Sequence, residues 1–464
     1  MKKFIAHNRS KNLILSLFFL QLVCPPALAE AVTSSPAAPV QADFRSQYSA
    51  ITKRILMESI ALERLSLEYR RKSVHRSQFN KFVFFGTQEA GAATGLAFEA
   101  TAVQQFGRAR RRVRDFEPDT LGNGLRAVEI GSIVAGSGSG YMLSANLAKY
   151  IQARKQGKDT ASTNRAVTAH LKEVDKLLAE RKQLVEANSG DPIYNRAVIE
   201  GKVLEGLRGC FVDEYSQFSA NTTSSAATEN LFFLLNASYN ILGAVAAEVG
   251  YKSLTQPRLN GTSNILFTIS GAMAAATPLL CAAELKLYRK HLLAAQQRKF
   301  GVSQKQIEEL PALRKQLEDL SAATQETPST NSTQRLAIYS QAGDLFEKQL
   351  NSEVKTMQQL NKVALQNSIA GPAIGSLLMT QGILGTRGYY HYFPWRVRKQ
   401  FDLNYKGAIC GTVGTSMAVL GNASWLVASM VYEHHLKKHK RMPEQLIDQR
   451  LEHLKEVENY VSTL

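Results

Sequence analysis

Apolar and polar positions alternate along this chain in long blocks, with six apolar stretches of 19 to 25 residues. They cover 82–106, 127–148, 231–249, 265–285, 363–386 and 408–432. An α-helix needs ~20 apolar residues to cross the hydrocarbon core of a bilayer. The six stretches therefore predict six transmembrane helices. The first stretch is the least apolar, because it carries Gln88, Glu89 and Glu99. Burial inside a large soluble protein is the competing interpretation.

Two sequence markers recur with nearly the same period. His-Leu-Lys-Glu-Val occurs at 170–174 and 453–457, with a degenerate copy, Leu-Pro-Ala-Leu, at 310–313. A tyrosine also closes the second apolar stretch of each pair, and these tyrosines are 138 and 144 residues apart. A common period predicts tandem structural units. The units are 44–187 with membrane hairpin 82–148, 188–324 with hairpin 231–285, and 325–464 with hairpin 363–432.

The polar blocks between the hairpins predict amphipathic helices. Breaks near Gly157, Gly301 and Pro443 precede apolar residues in steps of three and four, which lie on one helical stripe. The stripes comprise Val167, Leu171, Val174 and Leu178; Ile307, Leu310, Leu313, Leu317 and Leu320; and Ile447, Leu451, Leu454, Val457 and Val461. Residues 188–195 and 325–334 predict the tips of two antiparallel helical hairpins, and the N-terminal and C-terminal helices predict a third pair. The expected fold is an all-α polytopic membrane protein with extramembrane helical hairpins.

The N-terminus matches an export signal. A basic leader precedes an apolar run at 13–23, and Ala27-Leu28-Ala29 fits a cleavage site, so 1–29 is predicted to be a signal peptide. An uncleaved anchor is the alternative. The segment 30–43, rich in Ser, Pro and Ala, is typical of a flexible leader. Export places the predicted termini on the periplasmic side of a bacterial inner membrane.

The formal net charge of +17 is concentrated beside the apolar stretches. All three loops within the hairpins, 107–126, 250–264 and 387–406, are net basic, which favours contact with anionic lipid headgroups. Basic residues also follow the opposite ends of the hairpins, so charge alone does not fix the orientation. An export signal and this distribution argue against nucleic acid as a partner. Aromatic residues at 389–395 are typical of a membrane interface.

Small residues four positions apart predict close helix packing inside the membrane, where the hydrophobic effect contributes little between helices. These residues are Gly91, Gly95, Gly371, Gly375, Gly407 and Gly411. Polar residues within the stretches predict an intramembrane polar path, because a charged side chain at that depth is costly. The candidates are Glu89, Glu99, Gln88, Asn236, Asn240 and Gln381. Ten residues separate Glu89 from Glu99, which puts them about 80° apart on a helix.

No catalytic, cofactor or metal site is predicted. His435 and His439 have the spacing of a ligand pair, but their neighbours Lys437, Lys438 and Lys440 oppose a cation. The glycine-rich segment 136–140 lacks the strand and lysine of a phosphate loop. The leading hypothesis is a non-enzymatic membrane scaffold whose heptad helices contact a protein partner or a second copy. A channel or transporter using Glu89 and Glu99, and a soluble exported helical protein, are the alternatives.

Overall fold

The computed structural model describes residues 44–74, 78–323, 335–339, 370–439 and 442–463. Every regular element in these ranges is a helix, which confirms the all-α class for this part of the chain. The predicted signal peptide, the leader, the tip at 325–334 and the start of the apolar stretch 363–386 lie outside the described residues.

Long helices joined by short turns build the described structure. They are α1 (Phe44–Val74), α2 (Gln78–Ala109), α3 (Pro118–Lys155), α4 (Thr160–Ala187), α5 (Tyr194–Ser253), α6 (Asn260–Phe300), α7 (Gln304–Ala323), α8 (370–392), α9 (Val397–Lys438) and α10 (Pro443–Thr463). The predicted breaks are confirmed: Gly157 and Gly301 follow α3 and α6 with φ of 64°, and Pro443 opens α10. Glycine adopts this left-handed conformation without the steric cost of a Cβ.

Helix α5 contains 60 residues and is about 90 Å long. It joins the amphipathic segment of the second unit to the apolar stretch 231–249 without a break, because no proline interrupts it. Within the described ranges, two segments are long and apolar enough to cross a membrane, α5 and the stretch Pro257–Phe300 that contains α6.

Six helices contact one another in a closed cycle. Helix α2 packs on α3 and α9, α3 packs on α5, and α5 packs on α6. Helix α6 meets α8 at Gly271 and Gly375, and α8 meets α9 at Gly407 and Gly414. We call α2, α3, α6, α8, α9 and residues 231–253 of α5 the apolar ring.

The remaining helices form a second region, the amphipathic bundle, made of α1, α4, residues 194–230 of α5, α7, residues 335–339 and α10. Its core contains much of the predicted stripes, with Val167, Leu171, Leu317 and Val461 at most 4% exposed. Helix α1 lies beside α10, where Lys53 Nζ donates a 2.7 Å hydrogen bond to the carbonyl oxygen of Ser462. The stripes therefore pack against one another within the chain.

Large apolar side chains are exposed mainly on the apolar ring. Examples spread over its helices are Phe82, Ile130, Leu147, Ile241, Leu279, Ile383, Leu420 and Val431. In the described part of the amphipathic bundle, by contrast, only one large apolar side chain is exposed, that of Tyr460. The two regions therefore present different surfaces to their surroundings.

Candidate functional site

Glu99 lies inside the apolar ring, where α2 meets α8 and α9. Its side chain is 4% exposed, and its Oε1 accepts a 2.6 Å hydrogen bond from Gln381 Nε2. Gly411 makes room for the carboxylate, because a Cβ at position 411 would lie 2.5 Å from the carboxylate carbon, Cδ, of Glu99. Glu99, Gln381 and Gly411 thus form one packed contact.

The second carboxylate oxygen of Glu99, Oε2, is buried without a hydrogen-bond partner among the described residues. Burial of an ionised carboxylate is costly unless hydrogen bonds or a cation compensate for the lost water. No cationic side chain in the described ranges pairs with Glu99. Within the described structure, this buried carboxylate thus has one hydrogen bond and no paired cation to compensate for the lost water.

Glu89 lies two to three turns earlier on α2 and also faces α9, where its side chain is near that of Asn422. One of its carboxylate oxygens is likewise buried without a partner in the described structure. The two acidic residues therefore share the α9 side of α2, and Asn422 joins the candidates from a position that sequence reasoning did not select.

Gln88 faces the opposite neighbour of α2. Its Nε2 donates to the carbonyl oxygen of Ala135 at 2.8 Å and lies 3.3 Å from Ser139 Oγ. Ser139 Oγ donates to Asn236 Oδ1 at 2.6 Å, and Asn240 Nδ2 donates to the same Oδ1 at 2.9 Å. A chain of neutral groups thus connects α2, α3 and α5, and it continues from Asn236 Nδ2 to the Tyr239 hydroxyl at 2.6 Å.

The six predicted polar residues consequently form two groups on opposite sides of α2. Glu89, Glu99 and Gln381 lie toward α8 and α9, whereas Gln88, Asn236 and Asn240 lie toward α3 and α5. Consecutive residues on a helix are about 100° apart, which separates Gln88 from Glu89. The missed residue Ser139 lies in the segment 136–140, whose polar-small alternation was its available signal.

The predicted packing glycines all lie at helix contacts. A Cβ at Gly91 would lie 2.9 Å from Ala135 Cβ, and one at Gly375 would lie 2.6 Å from Ala275 Cα. The corresponding contacts are Thr415 for Gly95, Pro278 for Gly371, and Gln381 for both Gly407 and Gly411. At Gly91, Gly375 and Gly407 the close contacts include backbone atoms of the neighbouring helix, whereas at Gly95, Gly371 and Gly411 they are made by side chains.

Buried ion pairs in the amphipathic bundle form a further site that sequence reasoning missed. Glu214 accepts from Arg70 at 2.6 Å and from Arg450 at 2.8 Å, and Arg450 also donates to Glu63 at 2.8 Å. All four side chains are at most 7% exposed. Burial raises the pKa of the Glu214 carboxyl, but the two guanidinium groups outweigh it and leave that pKa below its usual range.

A second buried network surrounds Glu200. It receives hydrogen bonds from Arg181 Nη2 at 3.0 Å and from the Tyr339 hydroxyl at 2.6 Å, and Arg335 lies 3.2 Å away. Burial lowers the pKa of Arg181 to about 10, well above neutral pH, so the guanidinium stays charged. Arg181 Nη2 also donates a 2.9 Å hydrogen bond to the Tyr48 hydroxyl.

A charged residue on an apolar stripe was the signal for both networks. Glu214 follows Phe211 by three positions, Arg450 follows Ile447 by three, and Arg181 follows Leu178 by three. Residues three apart share a helix face, so each charge points into the core that its stripe builds. Comparison of the chain with protein-family models, with curated proteins and with solved structures finds no match.

Proposed function

We propose that this chain is an integral membrane scaffold. In this proposal the six helices of the apolar ring span the bilayer, and the amphipathic bundle stands on one side of it. The exposed apolar side chains of the ring support this placement, because soluble monomers rarely expose large contiguous apolar patches. The soluble alternative would require another surface to cover these faces.

The observation that carries the scaffold role is the continuity of α5 between the two regions. Its first half supplies Glu200 and Glu214 to the buried ion networks, and residues 231–253 pack on α3 and α6 in the ring. Helix α6 makes a second connection, since Phe300 at its end lies in the core of the amphipathic bundle. Two continuous helices hold the bundle at a fixed position relative to the ring.

The partner surface of such a scaffold is the outer, polar face of the amphipathic bundle. Sequence reasoning expected the heptad stripes to contact a partner, and a large part of these stripes lies in the core of the bundle itself. A helical partner or a second copy would therefore meet the charged residues opposite the stripes.

A distance measurement tests the fixed coupling. We would attach spin labels at Arg112→Cys and Gly190→Cys, two exposed positions, after replacing the free thiols Cys210, Cys281 and Cys410 with serine. The scaffold predicts a narrow distance distribution, which Ala226→Pro in the middle of α5 should broaden because proline breaks the helix. A broad distribution without the proline would contradict a rigid scaffold.

The same cysteines test the membrane topology. Impermeant thiol reagents should label positions 112 and 190 from opposite sides of the membrane, with position 190 on the periplasmic side. Labelling of both from one side refutes the six-span arrangement. Release of the chain by carbonate would instead favour the soluble alternative.

A polar path for protons or ions is the second candidate function, and the unpartnered Oε2 of Glu99 favours it. The test is proton flux in proteoliposomes carrying a pH-sensitive dye, driven by a potassium diffusion potential. A path predicts flux that Glu99→Gln abolishes and Glu129→Gln preserves, since Glu129 pairs with Arg126 outside the two polar groups. The scaffold proposal predicts no flux above that of protein-free liposomes.

A further inference from the structure

The loops between α2 and α3 and between α8 and α9 meet at one end of the apolar ring. Arg398 at the start of α9 donates from Nη2 to the backbone carbonyl of Arg111. Arg110 lies over the ring of Tyr405, 3.9 Å from its centroid, which holds the α2–α3 loop against the first turns of α9. Between them is an open cleft of about 450 Å³, lined by Arg110, Arg111, Arg398, Lys399 and Asp402.

This cleft has an excess of positive charge. The segments 108–117 and 396–406 contain nine basic and three acidic side chains. Each acidic side chain is already paired: Asp115 with Arg114, Glu117 with Arg108, and Asp402 with both Arg110 and Lys406. In the described structure Arg111, Arg398 and Lys399 therefore face the cleft without a carboxylate.

The chemistry of these side chains suits a phosphate group. These two arginines and this lysine line one opening. Guanidinium groups bind phosphate oxygens through paired hydrogen bonds. Asp402 is in the same wall, but Lys406 Nζ lies 2.8 Å from its Oδ2 and neutralises much of its charge. An anion with one or two negative charges would balance much of the excess positive charge of the cleft.

Aromatic side chains beside the cleft indicate where this anion comes from. Trp395, in the turn just before α9, is 90% exposed, and Tyr390, near the end of α8, is 60% exposed. Tryptophan and tyrosine concentrate at the level of lipid headgroups, with the ring against the acyl chains and the polar atom in water. The cleft thus lies at the depth where lipid phosphates are found, on the proposed placement of the ring.

We propose that this cleft binds the headgroup phosphate of an anionic phospholipid, with Arg111, Arg398 and Lys399 as its ligands. The inference rests on the proposed membrane placement and adds a specific lipid site to it. A specific site differs from the general attraction of basic residues to an anionic surface. General attraction would act equally at both basic ends of the ring, whereas a specific site acts at this cleft.

The native Trp395 provides a local probe. The chain contains two tryptophans, so Trp425→Phe leaves Trp395 as the reporter. This protein is reconstituted in phosphatidylcholine nanodiscs that contain a minor, equal fraction of brominated phosphatidylglycerol or of brominated phosphatidylcholine. A lipid site predicts stronger quenching of Trp395 by the brominated phosphatidylglycerol. Equal quenching by the two lipids overturns the proposal.

Charge-matched variants separate the cleft from general electrostatics. Arg111→Gln, Arg398→Gln and Lys399→Gln together should lower the preference for the anionic lipid at least about fivefold, the effect of roughly one surface cation. The control is Lys286→Gln, Arg289→Gln and Lys290→Gln, which removes the same charge from exposed positions after the fourth apolar stretch, 265–285. An equal loss in the control triple overturns a specific site.

Inorganic phosphate distinguishes the two sources of a phosphate group. The preference for phosphatidylglycerol should persist when millimolar phosphate is added to the wild-type cleft. Its disappearance would assign the cleft to a soluble phosphate and refute the lipid site. Failure of the membrane placement has a different signature, since the chain would then not incorporate into phosphatidylcholine nanodiscs at all.

Discussion

The amphipathic bundle and the apolar ring bury opposite kinds of polar group. The bundle buries full charges in pairs, such as Glu214 with Arg70 and Arg450. The ring buries amides and hydroxyls around Asn236, and its buried carboxylate Glu99 is bonded to the neutral Gln381. Charges are thus neutralised across helices in one region and largely avoided in the other.

The difference follows from what drives the helices together. In the bundle the apolar stripes leave water, and this burial is favourable enough to bring paired charges into the core. If the ring lies in lipid, its helices gain little from burying apolar surface against one another. Close contact at glycines and hydrogen bonds between neutral groups then supply the association energy.

Among the substitutions that test this comparison, replacement of Glu214 should cause the largest loss of stability. Glu214→Gln leaves two buried guanidinium groups without their shared carboxylate, and loss of one member of a buried ion pair costs about 3–5 kcal/mol. We expect the free energy of unfolding of the amphipathic bundle to fall by that amount in urea titrations followed by circular dichroism.

A surface pair provides the control for this measurement. Glu173 lies 3.2 Å from Arg54, and both side chains are more than a third exposed. Exposed pairs contribute about 0–1 kcal/mol, so Glu173→Gln should have little effect. If Glu214→Gln were as mild as Glu173→Gln, the buried charges would not be what distinguishes the bundle from the ring.

The sequence predicted local features of the fold more successfully than it predicted pairings. The breaks at Gly157, Gly301 and Pro443 depend on backbone conformation, which a single residue can determine. The partners of Glu214 are 144 residues before it and 236 residues after it. They meet because α1, α5 and α10, which are distant in sequence, come together. The sequence predicted that the N-terminal and C-terminal helices pair, but not which charges meet there.

The candidate site shows the same limit. Sequence reasoning identified the polar residues of the apolar stretches, and the structure places each of them at a helix contact. It treated them as one path, however, whereas Gln88 and Glu89 face different neighbours of α2. The order of the helices around the ring determines which side chains are neighbours. The contacts of Ser139 and Asn422 therefore could not be predicted from the sequence alone.

A glycine comparison tests the packing of the ring directly. A Cβ at Gly375 would collide with the α6 backbone, 2.6 Å from Ala275 Cα, so that α6 and α8 must move apart. We expect Gly375→Ala to destabilise the ring by about 1–3 kcal/mol, the usual cost of overpacking. The measurement is SDS-induced unfolding of the detergent-solubilised protein.

Gly421 is the matched control on α9, because a Cβ there would have open space around it. Alanine is favoured over glycine in a helix interior by about 0.5–1 kcal/mol, so Gly421→Ala should be neutral or stabilising. A stabilising Gly375→Ala would show that α6 and α8 do not approach as closely as small-residue packing demands.

The smallest effect is expected from the neutral hydrogen bonds of the ring. Ser139→Ala removes the donor to Asn236 Oδ1 and a neighbour of Gln88, while Ser137→Ala removes an exposed hydroxyl two residues away on α3. A net hydrogen bond contributes about 0.5–1.5 kcal/mol, and SDS titration should detect this loss for Ser139→Ala alone. Equal effects of the two substitutions would mean that glycine contacts hold α2, α3 and α5 together without help from the polar chain. The contrast between the two regions would then be that paired charges stabilise the bundle, whereas close backbone approach alone stabilises the ring.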